Sequence, residues 1–327
     1  MLDREIAVAI EAVKLSCKLC SAVQKTLVTA ETMAKKDRSP VTVADFGSQA
    51  IVNYVISREF PGIPIVAEED AAELRLPEND ELRRRVVHQV QHVIEEMDEE
   101  AVLDSIDKGN HGGGASGRFW TLDPIDGTKG YLRGDQYAVA LALIEDGKVI
   151  LGVLGCPNLP GDSVESESND GTIFAATKGT GARCTLISQE SWSPVSASPV
   201  TSAADAAFCE SVESGHTSHG AAAQVAEKLG VTAPPVRIDS QCKYAVVARG
   251  EACIYLRLPT KPGYEEKIWD HAAGWIITTE AGGKVTDTTG ADLDFSLGRT
   301  LSANKGVIGT NGPLHDQVIT TVQSVLG

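Results

Sequence analysis

The chain has no uninterrupted apolar run near the roughly eighteen residues a membrane span requires, and it has too few basic residues to balance its acids. Over 327 residues, 29 Lys and Arg stand against 45 Asp and Glu, a formal charge of −16 at pH 7. That balance opposes the backbone of a nucleic acid and the surface of an anionic bilayer, so neither a nucleic-acid polymer nor a membrane is expected as a partner. The first residues, Met1 to Glu5, lack the apolar centre of a signal peptide. Gly112-Gly113-Gly114 lacks the Lys-Ser/Thr ending of a P-loop, so Gly109 to Gly117 reads as a flexible connection. No repeat recurs at a fixed period. The expectation is a soluble intracellular protein, in the cytoplasm, or in a chloroplast or mitochondrion if a transit peptide has been removed. Paired cysteines are missing too: Cys17, Cys20, Cys156, Cys184, Cys209, Cys242 and Cys253 are odd in number and scattered, which suits a reducing compartment. Cys17-x-x-Cys20 falls inside a helical pattern and reads as two buried small residues. Cys242, between Gln241 and Lys243, is the thiol whose oxidation would matter.

What the chain does have is acid at the ends of apolar segments. Asp123-Pro124-Ile125-Asp126-Gly127-Thr128 follows Phe119-Trp120-Thr121-Leu122, and its Pro and Gly allow two carboxylates three positions apart to converge. Taken alone, this is an Asx-type turn that ends a strand. Three further acidic sites stand in similar positions: Asp45 after Val41-Thr42-Val43-Ala44, Glu68-Glu69-Asp70 after Ile63 to Ala67, and Asp270 in Trp269-Asp270-His271. Converging carboxylates need a cation between them, and a hard divalent ion with oxygen ligands, Mg²⁺ above all, supplies it.

Hydrophobic residues make up 42% of the chain, enough for one large domain or two of ordinary size. Periodicity predicts an amphipathic helix over residues 3 to 28 and another carrying Leu82, Val86, Val90, Val93 and Met97, with Arg83, Arg84 and Arg85 on a solvated face. Val41 to Ala44 reads as extended, with Asp45 opening the next helix. Tyr137 to Glu145, a turn at Asp146-Gly147 and Val149 to Gly155 predict a hairpin, and Gly179-Thr180-Gly181 predicts a second. Residues 188 to 204, rich in Ser, Pro and Ala, mark a boundary between an N-terminal domain, 1–195, and a C-terminal one, 196–327. Beyond it strands and helices alternate, implying a layered α/β arrangement. Ala272, Ala273 and Gly274 allow another element to approach closely.

Asp123-Pro124-Ile125-Asp126-Gly127-Thr128 together with Trp269-Asp270-His271-Ala272-Ala273-Gly274 resembles the Mg²⁺-dependent, Li⁺-inhibited phosphomonoesterases of the inositol monophosphatase superfamily. Within it, Lys129 to Val139 and Arg237-Ile238-Asp239-Ser240-Gln241-Cys242-Lys243-Tyr244 look like the plant and fungal 3′(2′),5′-bisphosphate nucleotidases. The likeness runs from Ser39 to the last strand. It implies an α+β fold, a layered αβαβα sandwich, and hydrolysis of 3′-phosphoadenosine 5′-phosphate, often also of its sulfated form. By motif position it implies two or three Mg²⁺ ions on Glu68, Asp123, the Ile125 carbonyl, Asp126 and Asp270. Asp45 and Thr128 become the hydrogen-bonded pair that orients and deprotonates water. Thr128, His216, Ser240, Lys243, Arg257 and Asp270 become the substrate-binding set, with His219 an alternative to His216.

Elementary chemistry agrees with that assignment. Phosphate monoesters hydrolyse very slowly without a catalyst, and paired metals position the nucleophile, neutralise the phosphoryl oxygens and stabilise the leaving oxygen. Lys243 and Arg257 are cations suited to a second phosphate in an otherwise acidic protein. The alternatives are an inositol polyphosphate 1-phosphatase or inositol monophosphatase, and a non-catalytic nucleotide sensor. The expected partner is a small nucleotide; the oligomeric state is open, with a monomer the default.

Overall fold

The computed structural model describes residues 2–27, 39–164, 166, 170–212, 218–261 and 263–327. Helix α1, Asp3–Leu27, buries Ile6, Ala9, Val13, Cys17 and Cys20, the face that its spacing at three and four residues predicts. Helix α2 spans Ser39–Glu59, so the expected extended segment at Val41 to Ala44 is helical and Asp45 sits inside the helix. Local preference for β-branched residues loses here to burial: Val41, Val43, Ala44, Ile51 and Ile56 are all buried. Polar Ser48, Gln49 and Asn53 are buried as well, so α2 is enclosed on several sides and shows no amphipathic stripe.

Seven strands then form a sheet in chain order: β1 Ile65–Ala67, β2 Arg118–Asp126, β3 Ala138–Glu145, β4 Lys148–Pro160, β5 Gly171–Thr177, β6 Ala182–Leu186 and β7 Ser193–Val195. β1 pairs with β2 in parallel, and the later neighbours are antiparallel. Both predicted hairpins are present. Helices α3, Asp80–Gln91, and α4, Glu99–Asp107, sit between β1 and β2 in the chain; α3 ends before Val93 and Met97. Arg83 is not merely solvated, since it pairs with Asp80 and, at 3.0 Å, Glu99. The glycine-rich segment after α4 is anchored by bonds from Ala67 N–H to the Gly109 carbonyl and from His111 N–H to the Ile65 carbonyl.

A short helix α5, Thr128–Arg133, follows β2. The second half of the chain supplies β8 Phe208–Glu210, α6 His219–Leu229, β9 Val236–Arg237, α7 Cys242–Ala248, β10 Ile254–Arg257, α8 Ala272–Glu280, β11 Lys284–Thr286, β12 Val307–Thr310 and α9 His315–Leu326. Its strands make a mixed sheet in the order β11-β12-β10-β8-β9.

Side-chain alternation sets the layers. Along β3, Val139, Leu141 and Leu143 face the cluster containing α1 and α2, while Ala138, Ala140 and Ala142 face the cluster of α7 and α8. That second cluster also takes Tyr255 and Val307 from the other sheet, whose far face packs Ile254, Leu256 and Ile308 against α6 and α9. The result is helix, sheet, helix, sheet, helix, the αβαβα sandwich of an α+β protein. Close approach needs glycine at two points on β4: a Cβ on Gly155 would lie 2.4 Å from Cys17 Sγ, and one on Gly152 would lie 2.5 Å from Ile276. Helices press the strand from both sides.

Candidate active site

A cavity of roughly 450 Å³ opens where the two sheets' acid-bearing ends face each other. Asp45 reaches it from α2, Glu68 from the residue after β1, Asp123, Ile125 and Asp126 from the end of β2, Thr128 from the start of α5, and Asp270 from the turn before α8. Ser240, Lys243 and Arg257 line the same space. Every site residue suggested by the sequence and lying among the described residues is therefore brought together. His216 lies outside the described residues, and so does the side chain of His219.

The convergence of Asp123 and Asp126 has a specific cause. In a regular strand, residues three apart point to opposite faces. Here Asp123 pairs with Ala140 and Asp126 with Ala138, so three steps on β2 match two on β3, and the register shift is a bulge that turns both carboxylates to one side. Gly127 follows with φ 88° and immediately precedes α5. A Cβ there would lie 2.8 Å from Ser240 Cβ, and Ser240 itself takes φ 64°, a left-handed conformation that costs a non-glycine residue energy.

Buried side chains lock the surrounding segments. Ser48 Oγ donates to the Pro124 carbonyl at 2.8 Å and lies 2.6 Å from Ser16 Oγ, linking α1, α2 and β2. Gln49 Nε2 donates to the Glu69 carbonyl at 2.6 Å while its Oε1 accepts the Glu69 N–H at 3.0 Å. Arg299 donates to the Ala67 carbonyl at 2.5 Å and stacks 4.7 Å from the Trp269 ring centroid. Thus the acid after β1 is tied both to α2 and to the turn carrying Asp270.

The electrostatics are those of crowded acids. Burial, then Glu68, Asp126 and Asp270, hold the Asp123 carboxyl well above the usual range. Burial pushes Asp126 up to about 6, with Asp270 adding to the effect and Lys243 and Arg257 opposing it. Glu68 is pushed up to about 8 by burial and then by Asp270, Glu69 and Asp126; because its side chain keeps a solvent-exposed surface, water screens part of that, and fully enclosed Asp123 is the better measure of the crowding. Asp45 is raised by burial, Glu69 and Glu68. Asp45 Oδ1 and Asp123 Oδ1 are buried without a hydrogen-bond partner. Unpartnered buried carboxylate oxygens beside like charges fit a hard divalent cation in both donor type and charge.

Two expectations change. No hydrogen bond joins Asp45 to Thr128: Asp45 Oδ1 is unpartnered and Thr128 is exposed at the start of α5, so sharing the cavity does not make them a bonded pair. Arg257 is already engaged, its Nη2 lying 2.6 Å from Glu266 and 3.1 Å from Asp270. Glu266 also meets His271 Nε2 at 3.2 Å, and His271 Nδ1 meets Tyr244 Oη at 2.8 Å. Although burial opposes it, the bond from His271 and the Arg257 charge bring Glu266 down to about 2. Glu266, Asp270 and His271 are the described trio whose ligand atoms all lie within 4.8 Å, but the guanidinium neutralises it. Glu68, Asp123, Asp126 and Asp270 are not among the described groups with ligand atoms that close together.

The inositol monophosphatase family model matches residues 1–326. The chain belongs to the inositol monophosphatase family. Among curated members, a 3′(2′),5′-bisphosphate nucleotidase from Oryza sativa is 47% identical over 98% of this chain and 94% of its own length. One from Emericella nidulans is 48% identical over 90% of this chain and 91% of its own. Fold similarity is shown by the inositol monophosphatase from Anabaena, with a TM-score of 0.63 at 22% identity, covering 99% of this chain and 96% of that one.

Several residues of this family member's cavity gave no functional signal in sequence. Tyr255 and Tyr264 line it, and Lys243 Nζ sits 5.5 Å from the Tyr255 ring centroid. Glu266 stands in Glu265-Glu266-Lys267, outside both motifs. Arg133 and Asp239 stand in quoted motifs without a role, yet their ion pair ties α5 to the segment carrying Ser240. Cys242 is buried, its Sγ donating to the Tyr137 carbonyl at 3.4 Å, and Cys17 and Cys20 are buried too.

Proposed function

We propose that this protein is a phosphomonoesterase for bisphosphate nucleotides, releasing phosphate from 3′-phosphoadenosine 5′-phosphate to leave AMP, and acting also on the sulfated nucleotide. The carrying observation is that Asp45, Glu68, the pair Asp123 and Asp126, and Asp270 come from four separate segments to one cavity, which Lys129, Lys243 and Arg257 also line. The names and full-length similarity of the Oryza and Emericella proteins support the substrate class.

Glu68, Asp123, Asp126, Asp270 and the Ile125 carbonyl would hold two or three Mg²⁺ ions. When bound, such ions neutralise phosphoryl oxygens and lower the pKa of water. The chain's own residues do the rest. Asp45, whose Oδ1 has no partner, accepts the proton of the attacking water, and the Thr128 hydroxyl orients that water from the start of α5. Burial raises the Asp45 carboxyl, with Glu69 and Glu68 adding to the effect; positive charge placed beside those acids favours the ionised form a base requires. Lys243, buried in the cavity lining, and Arg257, fixed by Glu266 and Asp270, present positive charge to the second phosphate. Ser240 offers a hydroxyl beside them. Li⁺, with half the charge of Mg²⁺, competes for one cation position and inhibits.

The deciding experiment compares initial rates on 3′-phosphoadenosine 5′-phosphate, its sulfated form, inositol 1,4-bisphosphate and inositol 1-phosphate, each with Mg²⁺, with chelator and with added Li⁺. A preference for the adenosine nucleotide that chelator abolishes is expected. Preference for an inositol ester overturns the substrate, and nucleotide binding without phosphate release makes the protein a sensor.

A further inference from the structure

Gln241 precedes α7 and is 2% exposed. Its amide makes no capping bond to its own helix. Instead Nε2 donates to the Trp269 carbonyl at 2.8 Å, and Oε1 accepts the Gly274 N–H at 3.0 Å. These two groups flank Asp270, one immediately before it and the other in the first turn of α8. The backbone N–H of Gln241 donates to Asp126 Oδ2 at 2.5 Å. One residue thus grips the Asp270 turn with its side chain and the Asp126 carboxylate with its main chain.

We propose that Gln241 is a positioning residue that sets the distance between Asp126 and Asp270, and through it the affinity of the cavity for divalent cations. The proposal rests on the reading above that these acids hold such cations. Asp126 and Asp270 repel one another, so the gap between them is stable only if the frame on each side resists. Arg299 braces the Asp270 turn toward Glu68 through Trp269 and Ala67. Gln241 is the brace toward Asp126. Substituting its side chain leaves the N–H on Asp126 in place but releases the turn, so the two carboxylates separate and a cation between them loses one good partner.

The test is calorimetric titration of substrate-free protein with Mg²⁺, using wild type, Q241M and a control, T278V. Methionine matches the glutamine stem in length without donor or acceptor. Thr278 makes a buried bond from α8 to the Tyr244 carbonyl at 3.3 Å and touches no acid of the cavity, so T278V reports what losing a buried hydrogen bond in this layer does by itself. Q241M is expected to weaken cation binding by about 10–100-fold, the range for residues that orient metal ligands. T278V is expected to bind as wild type does. At saturating Mg²⁺, KM of Q241M for the nucleotide stays within about twofold of wild type, because the defect lies in the cation sites. Should Q241M fail to fold, Q241N, whose amide sits on a stem one methylene shorter, carries the same expectation. Wild-type Mg²⁺ affinity in the folded variant overturns the proposal, as does an equal loss in T278V. If wild type binds no Mg²⁺, the functional reading falls and this inference with it.

Discussion

At the scale of single residues, the roles proposed for Asp45 and Lys243 separate chemistry from binding. Asp45→Asn keeps the shape of the side chain and removes its basicity. Turnover should fall about 10²–10⁴-fold, the usual contribution of a general base, with the Mg²⁺ midpoint little changed. Steady-state kinetics beside a Mg²⁺ titration checks this, and unchanged turnover removes Asp45 from the mechanism. Lys243 is buried in the cavity lining, with burial lowering its pKa and the Asp126 charge opposing that. Lys243→Met deletes the charge at similar volume. KM for the bisphosphate should rise about 10–100-fold, as expected for a lost charge-assisted bond worth ~1.5–3 kcal/mol; an unchanged KM would show that the second phosphate lies elsewhere.

At the scale of elements, the site depends on how closely backbones approach. The join of β2 to α5 needs glycine twice over, for its positive φ and for the nearness of Ser240. Gly127→Ala should therefore destabilise the protein by about 1–3 kcal/mol, seen as a lower urea midpoint, and should impair activity through displaced Thr128. The small residues at the start of α8 serve α7: a Cβ on Gly274 would come within 2.3 Å of the Tyr244 ring. Gly274→Val overfills that contact and should cost about 1–3 kcal/mol. A midpoint equal to wild type would mean the two helices yield. The predicted helices and hairpins are visible in sequence because their signals are local, in the three-and-four spacing of α1 and the Asp146-Gly147 turn. The start of helix α2, before Asp45, is not, because a segment buried on several sides carries no polar stripe and its Val-Thr-Val run imitates a strand; the helix from Asp45 onward is.

At the scale of the molecule, the cavity couples folding to pH and to cations. Glu68 is held up to about 8 and Asp126 to about 6, both above the ~4 of carboxylates in an unfolded chain. Between those limits the cation-free folded protein holds more protons than the unfolded one. The contribution of these acids is therefore full below pH ~4 and is lost as pH rises through about 6 and then about 8. A divalent cation bound as proposed would replace the protons, so its stabilisation would grow over the same window. The thermal midpoint gained on adding Mg²⁺ should be larger at pH 8 than at pH 5.5, and chelator should reverse it. A gain independent of pH would disconnect the cation from these carboxylates.

The order of residues alone pointed to the candidates for this chemistry: the acids in two strong motifs, Thr128 beside one of them, Lys243 and Arg257, and an excess of negative charge that opposes polyanionic polymers. It also carried the alternation of large and small residues along β3 that separates the layers. Only the tertiary structure decided how the acids face one another. The bulge between Asp123 and Asp126 arises from pairing with β3, the engagement of Arg257 by Glu266 from the return of the chain after β10, and the bridge from Gln241 to Trp269 and Gly274 from the packing of α7 on α8. Each depends on distances between residues far apart in the chain, and a one-dimensional pattern of residue types contains no such distances.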